Sequence, residues 1–205
     1  GQVLREHNWT ATAIVEMETW DHSSSPRLVD LLPPDRIDHL WGAAVDIGTT
    51  TVSVYLVDLL TGEVATKAAE YNGQIRRGES LVVGAINELL ERAARRAKIS
   101  ASEVYKMTVA GNSTMIHLFL GLPPGSIRLE PFVTSVNHPP PVRAGDLGID
   151  IHPQASVDCL PGVASYVGAD ISAGVIGSQM CDSSVLTLFL DVGTNGEMVL
   201  GDCDW

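Results

Sequence analysis

Two stretches of this chain place an aspartate at the end of an apolar run, directly before a glycine turn. One reads VDIGTTT at residues 45–51, and the other reads DVGTNGE at residues 191–197. A glycine turn lets phosphate oxygens approach backbone N–H groups because no Cβ stands in the way. An aspartate beside the turn can hold Mg²⁺, directly or through water, and the metal can bridge to the phosphates. Two such turns that face each other would bind a nucleoside triphosphate from both sides.

Ordinary turn chemistry is the alternative interpretation of these stretches. A single Asp-x-Gly-Thr is common, and both Asp and Gly favour turns for reasons unrelated to ligands. Here each copy follows an apolar strand-forming run and precedes a second one. This context favours the nucleotide site. Neither copy is a Walker A loop or a G-x-G-x-x-G turn.

The surrounding patterns predict the elements that position these turns. Residues 42–65 are expected to form a hairpin that turns at 48–50, and residues 185–200 a second hairpin that turns at 193–196. Apolar spacing predicts helices over 78–100, 113–122 and 167–180, and a buried strand over 104–112. Asn112 to Thr114 form either a helix N-cap or part of a cleft wall. The proline-rich stretch 123–154 is expected to be a loop or an edge segment.

The chain divides near residue 40. Residues 1–40 combine a strand-like alternation with a polar stretch containing prolines, and are predicted to be the tail of a preceding middle or linker segment. Residues 41–205 have the mixed α/β pattern and are predicted to be the N-terminal part of a nucleotide-binding domain.

Composition argues against several classes of function. A net charge of −12 and an isoelectric point near 4.7 disfavour non-specific binding to nucleic acid or anionic membranes. No apolar run approaches the roughly 18 residues that span a membrane. Cys159, Cys181 and Cys203 are widely spaced without a C-x-x-C, which argues against a disulfide framework and against an iron–sulfur cluster on this chain. We expect a protein of the reducing cytoplasm.

The two Asp-x-Gly-Thr turns resemble the phosphate loops of the ASKHA superfamily, which includes actin, heat-shock chaperone ATPases and sugar kinases. A closer resemblance is to the reductive activators of corrinoid-dependent enzymes. Four blocks carry it, in this order: WGAAVDIGTTTVSVYLVDLLTGEV, EYNGQIRRGES, VAGNSTMIHLFLGL with PF shortly after it, and FLDVGTNGEMVL. The resemblance implies an α/β fold, namely a ribonuclease-H-like mixed sheet with flanking helices and an incomplete second half.

The resemblance also implies roles for individual residues. Asp46 and Asp191 would lie near Mg²⁺, and Asp170 would lie near a metal-bound water, although an acid at a helix N-terminus is an equal alternative. Glu197 would bond a ribose or orient water, or is a plain strand residue. The residues that would line ATP are Gly48, Thr49, Thr50, Thr51, Gly193, Thr194, Asn195, Gly196 and Glu197. Gln74, Arg76 and Arg77 depart from the family pattern; they would contact an acidic partner or a phosphate, or form a solvated loop.

The activity implied is ATP-dependent reduction of cob(II)alamin to cob(I)alamin in a corrinoid protein or a corrinoid-dependent methyltransferase. The family's iron–sulfur cluster would lie in a domain outside this chain. A small-molecule kinase of the same superfamily and a non-enzymatic actin-like scaffold are the alternatives. We expect the 205-residue chain alone to hydrolyse ATP weakly or not at all. The sequence leaves open whether the protein is a homodimer.

Overall fold

The centre of the protein is a six-stranded mixed sheet. The structure is a computed structural model that describes residues 2–17, 26–35, 38–72, 80–193 and 196–205. Its strands are β1 (Thr12–Glu16), β2 (Arg27–Leu32), β3 (Trp41–Ile47), β4 (Thr51–Asp58), β5 (Val64–Tyr71), β6 (Val104–Gly111), β7 (Val142–Arg143), β8 (Ser156–Cys159), β9 (Thr187–Val192) and β10 (Gly196–Gly201). Its α-helices are α1 (Gln2–Glu6), α2 (Ser80–Ala97), α3 (Ser113–Phe119), α4 (Gly125–Arg128), α5 (Ala144–Leu147) and α6 (Ala169–Ser178).

The strand order in the large sheet is β5-β4-β3-β6-β8-β7. The β3–β6 and β6–β8 pairs are parallel, whereas β3–β4, β4–β5 and β7–β8 are antiparallel. The predicted mixed sheet with flanking helices is therefore confirmed. Parallel strands are covered on both faces, which explains the near-continuous apolar run in β3.

Helix α2 packs against β4 and β5 through one apolar stripe. The stripe recurs at helical spacing and consists of Val82, Ile86, Leu89, Leu90 and Ala93, each at most 2% exposed. Arg95 and Arg96 lie in its last turn, where the helix dipole favours positive charge. This packing closes the core that supports β3 and β4 from one side.

Both predicted hairpins are present. The first joins β3 to β4, and Gly48 N donates to Thr51 O over 3.0 Å, which closes the turn at the predicted place. The second joins β9 to β10, and Val192 pairs with Gly196 at its turn. Thr194 and Asn195 lie outside the described residues, as do Gln74, Arg76 and Arg77.

The proline-rich stretch contains only short elements, α4, β7 and α5. The two-residue strand β7 pairs with β8 at the edge of the large sheet, which agrees with the predicted loop or edge segment. Cys159 is buried in the core, while Cys181 and Cys203 are exposed, and all three thiols are free. Among the described residues, no helix has the length and apolar character needed to cross a membrane.

The largely buried Glu16 carboxylate makes most of the contacts by which the N-terminal hairpin β1–β2 docks on the large sheet, beside a hydrogen bond from Tyr105 to Asp30. Glu16 accepts hydrogen bonds from Arg27 on β2 (2.6 Å), from Lys106 on β6 (3.0 Å) and from Ser156 on β8 (2.5 Å). Lys106 also pairs with Asp158. These contacts join residues 12–32 to the sheet. The predicted domain boundary near residue 40 stays a prediction.

Glu16 supplies the first testable prediction. Burial alone would raise the pKa of Glu16, but the hydrogen bonds from Ser156, Arg27 and Lys106 outweigh it and lower the pKa from 4.5 to about 2. Ionised Glu16 therefore stabilises the folded chain above pH 4.5, and that stabilisation is lost as the pH falls toward 2. We expect Glu16→Gln to lower the free energy of unfolding by about 2 kcal/mol at pH 7. Urea denaturation at several pH values measures it.

Glu70→Gln is the matched control for this variant. Glu70 pairs with Arg92 over 2.6 Å, but both side chains are more than a third exposed, so the change should cost less than about 1 kcal/mol. An equal loss of stability in the two variants, or a Glu16→Gln effect that does not shrink at low pH, would contradict the proposed docking contact.

Candidate functional site

The two hairpin turns face a single cleft of about 760 Å³. The first loop (residues 46–51) and the second loop (residues 191–197) both contribute to its walls, together with the end of β6 and the start of α6. The lining residues described by the structure are Asp46, Gly48, Thr49, Thr50, Thr51, Ala110, Asn112, Asp170, Ala173, Gly174, Asp191, Gly193 and Glu197. Most of the predicted site residues are thus brought together. Gly196 begins β10 and is not among those lining residues.

The floor of the cleft is built from close backbone contacts. β3 and β6 run parallel, so their carboxyl ends, Ile47 and Gly111, pair at the same edge of the sheet. A Cβ on Gly111 would lie 2.8 Å from Ile47 O, and a Cβ on Gly48 would lie 2.8 Å from Thr51 O. Glycine is therefore required at both positions, because real Cβ atoms do not approach so closely. This places the first loop directly beside the start of α3.

Helix α6 carries the second hairpin to the cleft. A Cβ on Gly174 would lie 2.3 Å from the Phe189 ring of β9, so the helix and the strand meet where the helix has no side chain. Alternation along β9 then turns Asp191 to the same side as Phe189, while Leu190 and Val192 are exposed. The absence of a side chain at Gly174 thus allows Asp191 to face the first loop.

The cleft concentrates negative charge. Burial raises the pKa of Asp46, and the carboxylates of Asp170 and Asp191 raise it further, while Lys67 opposes them with the smallest effect. Burial also raises the pKa of Asp170, with a further contribution from Asp191. Glu197 is the direct cross-strand partner of Asp191. Like charges opposite each other destabilise a hairpin, and no Lys or Arg is among the described residues that line the cleft.

This donor set fits a divalent cation that also binds phosphate oxygens. Mg²⁺ in such sites takes one or two carboxylates and completes its shell with water and substrate phosphates. Within the described ranges, no three His, Cys, Asp or Glu side chains lie close enough to hold an ion by themselves. Asp46, Asp170 and Asp191 are the aspartates that line this cleft, and the assignment of Asp46 and Asp191 as metal ligands stays a prediction.

Asn112 and Asn72 contact the first loop. Asn112 was predicted as an N-cap or a cleft-wall residue and is both: its Oδ1 accepts from Met115 N at 3.0 Å, and the residue lines the cleft. Sequence reasoning gave Asn72 no role, although its Nδ2 donates to Gly48 O at 2.7 Å. The one signal in the sequence was an asparagine that follows a strand-forming run and precedes a glycine.

A second cavity of about 530 Å³ adjoins the first. It shares Thr49, Asn112, Asp170 and Glu197 with the cleft. Its remaining described lining is largely apolar and comes mainly from α3 and α4: Val82, Thr114, Met115, Leu118, Pro124, Ile127, Arg128, Ser165 and Tyr166. A molecule in this cavity would lie next to Asp170.

Asp46 supplies the second prediction. Its raised pKa means that the ionised carboxylate opposes folding at neutral pH. We expect Asp46→Asn to raise the free energy of unfolding at pH 7 by a few tenths to about 1 kcal/mol, because solvent screens part of the repulsion. The gain should disappear below pH 3.8, where the carboxylic acid is neutral in both states. Thermal unfolding with a metal chelator present measures it.

Asp58→Asn is the control with the opposite sign. Asp58 ends β4 away from the cleft, and the hydrogen bond from His39 followed by those of the Leu60 and Leu40 amides lowers its pKa. Its replacement should reduce stability above pH 3.8, where the ionised carboxylate stabilises the fold. An Asp46→Asn protein that unfolds more readily than the wild type at pH 7 would show that cleft repulsion is not significant.

Comparison with known proteins identifies relatives of this chain. The chain is 31% identical to the corrinoid activation enzyme RamQ of Eubacterium limosum over 202 aligned positions, which cover 88% of this chain and 34% of that protein. It superposes with a TM-score of 0.89 on a solved structure described as a reductive activator for corrinoid, iron–sulfur protein, at 37% identity. That match covers 100% of this chain and 35% of the other. The chain thus spans about a third of the length of these relatives.

A family match covers most of the sheet and the cleft. The family described as "RACo middle region" matches residues 41–82 and 79–183, which include the first loop and the six strands of the large sheet but neither the N-terminal hairpin nor the last one. These ranges amount to well over half of the 205 residues. The chain therefore belongs to the RACo middle region family.

Proposed function

We propose that this chain forms part of the nucleotide site of an ATP-dependent reductive activator, which restores cob(II)alamin to cob(I)alamin in a corrinoid protein. The observation that carries the proposal is the convergence of the two Asp-x-Gly-Thr turns on one acidic cleft. The names of the two relatives, a corrinoid activation enzyme and a reductive activator, support the choice of substrate.

The residues that we propose for the nucleotide site divide by their chemistry. Backbone N–H groups and hydroxyls of the two loops suit phosphate oxygens: those of Gly48, Thr49, Thr50, Thr51, Gly193, Thr194, Asn195 and Gly196. Asp46 and Asp191 would hold Mg²⁺, directly or through water, and this ion would neutralise phosphate charge when bound. Asp170 would orient an attacking water and accept its proton, and the burial that raises its pKa supports this role by increasing its basicity. Glu197 would bond the ribose or a water.

Electron delivery would use parts of the protein that lie outside this chain. An iron–sulfur cluster in a domain outside this chain would supply the one electron that reduces cob(II)alamin to cob(I)alamin. ATP would contribute by binding one arrangement of the nucleotide-binding halves more tightly than another. The close approach of Gly174 and Phe189 joins the second hairpin to α6. The partner would be a corrinoid protein or a corrinoid-dependent methyltransferase, met in the cytoplasm.

A small-molecule kinase is a second candidate because of one observation. The second cavity places Asp170 beside a mostly apolar space, where a hydroxyl-bearing substrate would find a base. ADP release that rises with a small alcohol or sugar, and not with a corrinoid protein, would favour the kinase. The reverse result would favour the activator.

Asp191 supplies the test of the proposed function in the full-length protein. Asp191→Asn keeps the shape of the side chain and suits the same turn, but it removes the charge that faces the cation. We expect ATP hydrolysis to fall by roughly 10² to 10³, the usual scale for such electrostatic contributions. Cob(I)alamin formation, followed by absorbance in the same samples, should fall in parallel.

Asp204→Asn is the matched control, since this exposed aspartate lies beyond the second hairpin. It should leave both rates unchanged. A well-folded Asp191→Asn protein with unchanged ATP hydrolysis would remove the proposed metal role. Loss of hydrolysis with normal cobalt reduction would instead show that the two activities are not coupled.

A further inference from the structure

Two asparagine side chains hold the first loop from outside the loop itself. Asn72 follows β5 and is 3% exposed, and Asn112 follows β6 and lines the cleft. Each donates a side-chain hydrogen bond to a residue of the loop, Asn72 to Gly48 and Asn112 to Thr49. The loop's conformation is therefore tied to the strands on either side of the β3–β4 hairpin.

Asn72 fixes the backbone of the loop. Its Nδ2 donates to Gly48 O at 2.7 Å, and its backbone N–H donates to Thr50 O at 2.6 Å. A peptide unit is planar and trans, so its C=O and its N–H point in opposite directions. Holding the Gly48 carbonyl therefore also fixes the direction of the Thr49 N–H, a donor of the kind that the phosphate site needs.

Asn112 fixes a hydroxyl of the loop. Its Oδ1 must face Met115 N, because that group can only donate, so its Nδ2 faces Thr49 Oγ1 at 3.0 Å. The Thr49 oxygen thus accepts from Asn112, and its own proton stays available for another acceptor. In this cleft that acceptor would be a phosphate oxygen.

Backbone packing prevents Asn112 from moving away. A Cβ on Gly168, the residue before α6, would lie 2.5 Å from Asn112 Cα. The preceding residue, Gly111, is confined in the same way, since a Cβ there would lie 2.8 Å from Ile47 O. Backbone from β3 and from the start of α6 therefore confines this segment while the Asn112 side chain caps α3.

We propose that Asn72 and Asn112 are positioning residues for the phosphate loop. They orient the Thr49 N–H and the Thr49 hydroxyl as donors toward the nucleotide before it binds, which lowers the cost of binding. This proposal rests on the proposed function for the identity of the ligand, ATP, and otherwise on the four hydrogen bonds described above.

The test separates capping from positioning in the full-length protein. Asn112→Ser keeps a side-chain oxygen that can cap α3, but it is too short to reach Thr49. Asn72→Asp keeps the shape of the side chain and cannot donate to Gly48. Each variant should bind ATP about 3- to 10-fold more weakly, the scale of one net hydrogen bond. Calorimetry measures the dissociation constant, and thermal unfolding checks the fold.

A double-mutant cycle gives a readout that a merely structural role would not produce. If Asn112 acts through the Thr49 hydroxyl, Asn112→Ser should have no further effect on ATP affinity once Thr49→Val has removed that hydroxyl. Asn87→Ser is the matched control: Asn87 makes two hydrogen bonds of 2.9 Å to Gly148 and Asp150, outside the cleft. It should leave ATP affinity unchanged.

The outcomes distinguish this proposal from the proposed function. A wild-type protein that binds no ATP would overturn both. Normal ATP affinity in Asn72→Asp and Asn112→Ser, with ATP binding intact in the wild type, would overturn the positioning role alone. Additive effects of Asn112→Ser and Thr49→Val would show that Asn112 does not act through the Thr49 hydroxyl and would overturn its part of the proposal.

Discussion

Burial of several carboxylates in one cleft, where they also repel one another, is the constraint that the rest of this structure must accommodate. The pKa values of Asp46 and Asp170 are raised by burial and by the charge of Asp191. Glu197 faces Asp191 across the hairpin. Such an arrangement costs folding free energy unless a cation is present. It persists because the sheet and helices around it are well packed, as is common where function and stability conflict.

The backbone brings these acids together through contacts that only glycine allows. Gly111 and Gly168 let β3, β6 and the start of α6 approach one another at the cleft floor, and Gly48 allows the tight turn between β3 and β4. Gly174 does the same for α6 and Phe189. The second hairpin therefore depends on one small-residue helix for its position. Asn72 and Asn112 constrain the first loop further, because their side chains donate hydrogen bonds to the Gly48 carbonyl and the Thr49 hydroxyl from outside the loop.

The sequence predicts the hairpins because their information is local. An apolar run, an acid and a glycine turn fix both the strands and the position of the turn, and the stripe on α2 fixes its buried face in the same way. Contacts between distant residues were not predictable. Glu16 and Lys106 are 90 residues apart, and Asn72 and Gly48 are 24 apart, with no pattern that links them. The expectation that both loops face one site rested on the resemblance to a known family. The roles of individual cleft residues stay predictions.

The most direct measurement is a crystal structure of the full-length protein grown with ADP and Mn²⁺, in which anomalous scattering locates the ion. Manganese takes the same oxygen ligands as magnesium. The predicted result is an anomalous peak between Asp46 and Asp191, with the phosphates against the first and second loops. An ion and phosphates bound elsewhere, with this cleft occupied by water alone, would contradict the assignment of the two Asp-x-Gly-Thr turns to one nucleotide site.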